Sequence, residues 1–305
     1  MSQARKAVIT GAGGLIGREL IDLLLKKGVE ITAIDKDPTP VPGVEWIVRD
    51  LSSPSGLEQL LDADTTIYHL AASADVRKSV SDPRNDFNNT LCAFFEVLEA
   101  ARTTGARVIF PSTASVFDPR APLPLSESSA KAPSSPYAAA KLAGEAYCAA
   151  YHHAYGVDAR IARMFSVYGP RMTRLAIHDI IRKLELDPSR VEILGDGLQV
   201  RDYLHVRDAA RGLEIVATHG APGADYNLAS GIPVTLMELT RRIARLMQCE
   251  DVRIETTGQS FTGDTPRWYA SISRIRGIGF APEIMLEAGL AETIGALQSR
   301  PVFGG

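Results

Sequence analysis

Residues 6–28, KAVITGAGGLIGRELIDLLLKKG, contain the strand, glycine-rich turn and helix that decide the fold. The β-branched run at 6–10 predicts a buried strand, and the amphipathic segment at 15–28 predicts the helix that follows it. Similar runs then alternate with helical stretches, which is typical of a parallel sheet with helices on both faces. We therefore predict an α/β fold with a doubly wound parallel sheet and a smaller C-terminal lobe. The other strand candidates are residues 30–35, 45–50, 66–72, 107–113 and 158–165, and a second long helical segment spans 86–105.

The glycines of the turn, Gly11, Gly14 and Gly17, are spaced three residues apart. Glycine lets the backbone turn tightly, approach a pyrophosphate and pack a helix closely against a strand. The helix that begins with Leu15 and Ile16 presents unpaired N–H groups and the positive end of its dipole to phosphates. Because the triplet follows a strand and opens a helix, we predict a Rossmann-type dinucleotide site in which these five residues contact the cofactor.

A carboxylate, Asp35, ends the second predicted strand, 18 residues beyond Gly17. It can accept hydrogen bonds from an adenosine ribose and would repel a 2′-phosphate, so it favours NAD over NADP, although the adjacent Lys36 weakens that preference. Asp50 ends the third predicted strand, where we expect it to reach the adenine amino group and its neighbour Leu51 to contact the cofactor too. The structural alternative is that both aspartates are solvated residues of turns.

A tyrosine and a lysine, Tyr137 and Lys141, lie four residues apart in a helical stretch, so both side chains occupy one helix face. A free tyrosine has a pKa of about 10, and lowering it by roughly 3 units needs about 4 kcal/mol of stabilisation of the phenolate. A nearby ammonium group and a positive nicotinamide ring could supply it, and Tyr137 could then remove a proton from a substrate hydroxyl. The pair alone would also fit an exposed tyrosine beside a surface lysine, but its position downstream of the glycine turn favours catalysis.

Three hydroxyl side chains lie at the end of the fifth predicted strand. Each of them, Ser112, Thr113 or Ser115, could hydrogen-bond the reacting oxygen.

The composition of the 305-residue chain is that of an ordinary globular protein, with 45% hydrophobic and 23% charged residues. A net charge of −3 without a basic run argues against a nucleic-acid partner.

The three scattered cysteines, Cys92, Cys148 and Cys249, predict a reducing compartment and neither disulfides nor a zinc site. No apolar stretch approaches the roughly 20 residues that span a bilayer, and the first strand starts too early for a signal peptide. We therefore expect a cytoplasmic protein without a membrane partner or a metal.

Over nearly its whole length the chain resembles the extended short-chain dehydrogenases/reductases, specifically the NAD-dependent sugar-nucleotide epimerase/dehydratase family. The segments that carry the resemblance, in order, are TGAGGLIG (10–17), YHLAA (68–72), DPRNDFNNTLCA (82–93), PSTASVFD (111–118), SPYAAAKLAGE (135–145), RMFSVYGPR (163–171), GDGLQVRDYLHVRDAA (195–210) and YNLASG (226–231). The resemblance implies NAD as the cofactor and Thr113 as the hydroxyl that assists the catalytic tyrosine. It also implies that Ala71, Ala72 and Asn89 contact the cofactor and that the catalytic lysine holds its nicotinamide ribose.

A nucleotide-sugar substrate, bound in the second lobe, is a further implication of the resemblance. Arg201 and Arg267 would grip its diphosphate as planar charged forks, and Ser166, where the family usually has asparagine, would contact the substrate. Ala114 and Ser115 follow the assisting threonine, whereas the family's 4,6-dehydratases carry Asp-Glu there and a decarboxylase would keep the glutamate. The missing carboxylates argue against dehydration and decarboxylation.

The expected organisation is an NAD-binding Rossmann domain over residues 1–166, with some return of the chain around 202–220, and a substrate lobe mainly over 167–305. By resemblance, the helices that contain 91–101 and 147–156 would pair across a two-fold axis into a four-helix bundle, which would make the protein a homodimer.

We therefore expect an NAD-dependent epimerase that inverts C4 of a UDP-sugar through a transient 4-keto intermediate. The alternatives with the same fold are an NAD(P)-dependent 4-keto-sugar-nucleotide reductase, a 4,6-dehydratase and a decarboxylase. A non-catalytic dinucleotide sensor is the alternative from another class, and the intact tyrosine and lysine argue against it.

Overall fold

The computed structural model describes residues 6–52, 56–259 and 265–299, which form three sheets and the helices around them. The strands of these ranges, in chain order, are β1 (Lys6–Thr10), β2 (Glu30–Asp35), β3 (Glu45–Val48), β4 (Thr65–His69), β5 (Arg107–Thr113), β6 (Ala159–Met164), β7 (Ser166–Tyr168), β8 (Arg190–Ile193), β9 (Val200–His205), β10 (Asp225–Leu228), β11 (Pro233–Thr235) and β12 (Arg253–Thr256). The α-helices are α1 (Leu15–Lys26), α2 (Val76–Ser81), α3 (Pro83–Phe87), α4 (Ala93–Thr104), α5 (Pro136–Tyr155), α6 (Leu175–Leu186), α7 (Val206–His219), α8 (Leu236–Leu246), α9 (Ser273–Arg276) and α10 (Leu286–Gln298).

The central sheet has seven strands in the order β10-β6-β5-β4-β1-β2-β3, and all neighbouring strands are parallel. Every residue of β4 and of β6 is buried, as expected for inner strands covered on both faces. The predicted α/β fold with a doubly wound parallel sheet is therefore confirmed.

Helices cover both faces of this sheet. Leu20 of α1 and Leu213 of α7 belong to one apolar cluster, whereas Phe94 of α4 and Cys148 of α5 belong to another. Helix α1 packs directly against α7, and α4 packs against α5. In the described part of the chain, no helix combines the length and the apolarity needed to cross a membrane.

Three strands are shorter than predicted: β6 spans Ala159–Met164 instead of 158–165, and β3 and β4 end early. β3 stops at Val48 instead of residue 50, since β2 ends at Asp35, whose carbonyl accepts the last ladder bond, from Arg49 N, at 2.8 Å. β4 stops at His69 instead of residue 72, and the next residues turn over the carboxyl edge of the sheet. There Ala71 N donates to the Thr10 side chain (3.2 Å) instead of a strand backbone.

The helical segment predicted at 86–105 is divided into α3, a π-helical turn at Asn88–Cys92, and α4. The first part starts earlier than predicted because Asp82 caps it, accepting from Asn85 N at 3.1 Å, and Pro83 occupies its first turn. The π turn inserts an extra residue, so the two parts do not share one apolar period.

The smaller lobe contains a three-stranded sheet, in the order β11-β9-β7, and the parallel pair β8–β12. Helices α6, α8 and α10 contribute to its apolar cluster. The chain enters this lobe after β6, returns to the central sheet through α7 and β10, and then leaves again for β11. The lobe thus follows the carboxyl end of β6, at the edge where α/β sheets bind ligands.

Candidate active site

The glycine turn after β1 is so tight that two of its glycines tolerate no side chain. Gly11 has φ +65°, and a Cβ placed on it would lie 2.6 Å from Ala71 N. A Cβ on Gly17 would lie 2.6 Å from the Gly11 carbonyl oxygen. Gly14 N donates to that same carbonyl at 3.1 Å, which closes the turn. Only glycine therefore fits at these two positions, as expected for a tight turn between a strand and a helix.

Helix α1 starts directly at this turn, and its N-cap is Gly14, a residue without a side chain that could accept from the first amides. The amides of Leu15, Ile16 and Gly17 are in the first turn of the helix, where backbone N–H groups have no intrahelical acceptor. Ala71, in the loop after β4, lies against the glycine turn, and Ala72 follows it. These residues fit a dinucleotide diphosphate by their open backbone and the helix dipole.

Asp35 ends β2 beside the turn. Its carboxylate accepts from Gly13 N at 2.8 Å and from Lys36 N at 2.7 Å. A fixed negative charge at the rim of the turn is compatible with ribose hydroxyls and disfavours a 2′-phosphate.

Asp50 and Leu51 follow β3 at the same edge. Asp50 accepts from Ser52 N at 2.8 Å and pairs with Lys36 Nζ at 3.0 Å. The hydrogen bonds from Ser52, reinforced by the Lys36 ammonium group, lower the pKa of the Asp50 carboxyl to about 2. Leu51 is buried. Lys36 is thus engaged with the predicted adenine-side carboxylate.

Asn89 lies on the π-helical turn and is turned towards the same cluster. Its Nδ2 donates to the Asn85 carbonyl at 2.8 Å, and its Oδ1 accepts from Lys36 Nζ. The next residue, Thr90, is the buried one, and its Oγ1 accepts from Ser73 N at 3.3 Å. The structure therefore brings Asn89 to the adenosine side of the predicted cofactor site and Thr90 to the interior.

Tyr137 and Lys141 lie on the first turns of α5, whose start is fixed by two local features. Ser135 caps the helix by accepting from Ala138 N at 3.2 Å, and Pro136 occupies the first helical position. Lys141 is only 3% exposed, and its Nζ donates to the Pro111 carbonyl of β5 at 2.8 Å. The pair therefore sits at the carboxyl edge of the central sheet.

Burial changes the acidity of both groups. It lowers the pKa of Lys141 to about 8, against the favourable charge of Asp86. It raises the pKa of Tyr137 to about 12, while the neighbouring Thr113 hydroxyl acts in the opposite direction. In this environment the tyrosine is thus a weaker acid than a free one, and a positive charge close to its phenol oxygen would be needed to lower its pKa.

The three candidate hydroxyls at the end of β5 are separated by the structure. Ser112 is buried and its Oγ donates to Glu145 at 2.5 Å, on the inner side of α5. Thr113 interacts with the Tyr137 phenol. Its Oγ1 also accepts from Ser115 N at 3.2 Å. Thr113 is therefore the hydroxyl in contact with the tyrosine.

A buried ion pair under the site was not predicted from the sequence. Arg163 of β6 donates to Glu145 through Nε and Nη2, both at 2.8 Å, and its side chain is 2% exposed. Asp225 of β10 also pairs with Arg163, at 2.5 Å. Glu145 lies four residues after Lys141, so the spacing on α5 was the available signal. The pair fixes α5 to the sheet beneath the helix turn that carries Tyr137 and Lys141.

His69 is buried at the end of β4. Its Nδ1 shares a hydrogen bond with Thr10 Oγ1 at 2.9 Å. Burial, together with the Lys141 charge, lowers the pKa of this imidazole to about 3, so it is neutral at physiological pH. Its role is therefore to hold the first and fourth strands together at the site.

The residues predicted to bind substrate lie in or next to the smaller lobe. Ser166 begins β7, directly after β6. The Arg201 guanidinium stacks over the Trp268 ring at 4.5 Å, and its Nη1 donates to the Val200 carbonyl at 3.0 Å. Arg267 is exposed and pairs with Val200 in an isolated parallel bridge.

The register of this bridge determines the faces from which the two arginines project. Paired residues of a ladder project to the same face and their sequence neighbours to the other. Arg267 therefore leaves the ladder on the face of Val200, and Arg201 on the opposite face. The two segments are adjacent, and the two arginine side chains start from opposite faces of this ladder.

Known proteins are similar to this chain in both sequence and fold. The family model described as the NAD dependent epimerase/dehydratase family matches residues 7–229. A dTDP-glucose 4,6-dehydratase of Streptomyces griseus is 31% identical, over 94% of this chain and 92% of its own length. The structure of a UDP-N-acetylglucosamine 4-epimerase from Methanobrevibacter ruminantium M1, in complex with UDP-N-acetylmuramic acid, superposes with a TM-score of 0.90 at 29% identity and covers 98% of this chain and 99% of that one. The complex of a Thermus thermophilus UDP-glucose 4-epimerase with NAD superposes with a TM-score of 0.86 at 26% identity, over 96% and 99% of the two chains.

Proposed function

Because this chain belongs to the NAD-dependent epimerase/dehydratase family, as the sequence motifs indicate, we propose that it is an NAD-dependent epimerase that inverts C4 of a UDP-sugar. One observation carries the choice of reaction. Tyr137, Lys141 and Thr113 meet at the carboxyl edge of the sheet, and the residues after Thr113 are Ala114 and Ser115, which cannot act as an acid/base pair of carboxylates. Such a site can move one proton and support hydride transfer, but it lacks the groups expected for eliminating water.

The residues that would hold NAD are those of the amino-terminal half. The turn at Gly11, Gly14 and Gly17 and the first amides of α1 would bind the diphosphate, and Asp35 the adenosine ribose. Asp50, Leu51 and Asn89 would line the adenosine side, and Ala71 and Ala72 the path towards the nicotinamide. When bound, NAD supplies the hydride acceptor and donor for the sugar carbon.

The proton steps belong to Tyr137. Its phenolate removes the proton of the C4 hydroxyl, while the Thr113 hydroxyl donates a hydrogen bond to the same substrate oxygen. The Lys141 ammonium stabilises the phenolate and would hold the nicotinamide ribose through its other N–H donors. In the reverse step Tyr137 returns the proton to the oxygen of the 4-keto sugar, after the sugar has turned over in the pocket.

We propose that the smaller lobe, mainly residues 167–305, binds the nucleotide-sugar diphosphate. Arg201, stacked on Trp268, presents a planar and permanently charged fork for this purpose. Ser166, next to β6, is near the sugar in this proposal. Arg267 would contact the substrate from the opposite face of its ladder. A firm hold on the diphosphate is needed because the sugar itself must be free to rotate.

The proposed activity is tested with UDP-, dTDP-, GDP- and CDP-sugars, with product mass and stereochemistry determined by mass spectrometry and NMR. We expect a UDP-sugar to yield its C4 epimer, with no change of mass and no accumulation of reduced nicotinamide. Stoichiometric consumption of free NAD(P)H would instead identify a 4-keto-sugar reductase. A loss of water from the substrate would identify a dehydratase, the activity named for the Streptomyces relative.

We propose that the protein forms a homodimer through α4 and α5. Large aromatic side chains on these two helices face solvent: Phe95 is 38% exposed, Tyr147 41% and Tyr155 60%. Phe95 and Tyr147 contact each other edge to face, with ring centroids 5.8 Å apart, so they form one apolar surface. Light scattering should give twice the chain mass for the wild type and the chain mass for Tyr147→Glu. A monomeric wild type at micromolar concentration would contradict the proposal.

A reducing, cytoplasmic location is the corresponding proposal for the compartment. Cys92, Cys148 and Cys249 are all free thiols. Proteins of oxidising compartments usually carry their cysteines as disulfides. Fractionation with a cytoplasmic marker tests the location.

A further inference from the structure

A buried aspartate near the catalytic helix has no role in the proposed function. Asp86, on α3, is 1% exposed. Within the described residues neither of its carboxylate oxygens has a hydrogen-bond partner of normal geometry, although the Ser73 hydroxyl is close enough to lower its pKa. Unsatisfied buried carboxylates are costly and therefore rare unless they serve a purpose. Burial accordingly raises the pKa of Asp86.

Lys141 carries the opposite charge and is also buried. Its ammonium group is buried and donates one hydrogen bond, to the Pro111 carbonyl, among the contacts found in the described ranges. An ammonium group has three N–H donors and is expensive to bury without a counter-charge. Helix α3, which carries Asp86, packs against α5, which carries Lys141.

The other ionisable groups around Lys141 are unavailable as its counter-ion. Glu145 is bound to Arg163 and Ser112. Burial raises the pKa of the Cys148 thiol, so it is neutral, and His69 is neutral as well. Asp86 has the largest favourable effect on the charge of Lys141, ahead of Cys148 and Glu145.

We propose that the Asp86 carboxylate is the counter-ion that keeps Lys141 protonated beside Tyr137. This inference rests on the proposed role of the tyrosine–lysine pair. Asp86 would be a positioning residue, since it acts through the lysine. Its negative charge also raises the pKa of Tyr137, but less than burial does, so its useful effect must come through the ammonium group that it maintains.

Titration of Lys141 by NMR, with 13C-labelled lysine side chains in the full-length protein, tests the proposal directly. The Lys141 resonance is identified by its absence in Lys141→Met. The wild-type pKa of Lys141 should be about 8. In Asp86→Asn it should fall by at least about 1 pH unit, because the opposite charge with the largest favourable effect on the ammonium group is lost. Asp86→Ser carries the same expectation if the asparagine variant does not fold.

Two control variants separate this effect from a general change. Asp86→Glu keeps the charge and should keep the pKa of Lys141 near the wild-type value. Asp179→Asn removes an exposed carboxylate that pairs with Lys183 on α6, at 3.0 Å, and should leave Lys141 unchanged. The alkaline limb of the kcat profile should move to lower pH in Asp86→Asn in step with the lysine.

An unchanged Lys141 pKa in Asp86→Asn would overturn the inference, even if the wild type proves to be an epimerase. Equal shifts in Asp86→Asn and Asp86→Glu would also overturn it, because they would reflect packing and not charge. If the protein does not epimerise any sugar nucleotide, the NMR titration still decides whether Asp86 is the counter-ion, so the two proposals fail separately.

Discussion

Replacement of Glu145 by glutamine should lower the free energy of unfolding far more than the similar size of the two side chains suggests. Glu145 is 6% exposed and receives two hydrogen bonds from Arg163 and one from Ser112. Glutamine has nearly the same shape, but it removes the charge that compensates a guanidinium group only 2% exposed. Breaking a buried ion pair on one side costs about 3–5 kcal/mol. Because Arg163 keeps its contact with Asp225, we expect the low end, about 3 kcal/mol.

The assay is equilibrium unfolding in urea at a fixed protein concentration, with Asp179→Asn as the control for a surface pair. That control should cost about 0.3–0.5 kcal/mol, typical of exposed pairs one helical turn apart. If the free energy of unfolding of Glu145→Gln is within about 1 kcal/mol of the control, the buried Glu145–Arg163 pair contributes no more than a surface contact, and the prediction is wrong.

Three further predictions concern the proposed site. Gly17→Ala should abolish the retention of NAD during purification, because the new Cβ would lie 2.6 Å from a backbone carbonyl oxygen. The control Gly295→Ala should retain NAD, since its Cβ meets no described atom within 4 Å, and equal NAD retention by the two variants would contradict the prediction. Arg201→Met should raise KM for the nucleotide sugar by at least about tenfold, as expected for the loss of a charge-assisted contact. Arg267→Met should raise KM less, because that side chain is exposed. A larger increase in KM for Arg267→Met than for Arg201→Met in steady-state kinetics would contradict this prediction. Activity should fall as pH rises through about 8, where Lys141 loses its proton, and a kcat profile that stays flat to pH 10 would exclude a charged lysine from the mechanism.

The pH dependence of stability should have the opposite sign to that of activity. The pKa of Lys141 is lower in the folded chain, about 8, than its ordinary value of 10.5. Between these values the unfolded chain binds more protons than the folded one, so this group makes the free energy of unfolding rise with pH. A comparison of wild type with Lys141→Met between pH 8 and 10 measures the difference, which should disappear in the variant.

The sequence was sufficient for the features that depend on local patterns. The strands β1, β2 and β5 start and end at the predicted residues, because short runs rich in β-branched and apolar residues favour buried strands. The glycine turn was predictable because only glycine tolerates its close backbone contacts. The family follows from the order of several such segments.

Features that depend on contacts between distant segments were not predictable. Glu145 and Arg163 are 18 residues apart, so their pairing depends on how α5 packs against β6, although the spacing of Glu145 from Lys141 places both on one helix face. Asp86 lies in a polar stretch, DPRNDFNN, and becomes buried only because α3 packs against α5. The faces of Arg201 and Arg267 depend on the register of an isolated bridge between β9 and a later segment.

The most direct test of the account uses a UDP-sugar labelled with deuterium at C4, incubated with the wild type and with Tyr137→Phe. The wild type should give the C4 epimer with the label retained at C4, and Tyr137→Phe should lose activity by about 100-fold or more, as expected for removal of a general base. Loss of the label to solvent, or epimerisation by Tyr137→Phe at the wild-type rate, would contradict the claim that this tyrosine moves the proton of a reversible C4 oxidation.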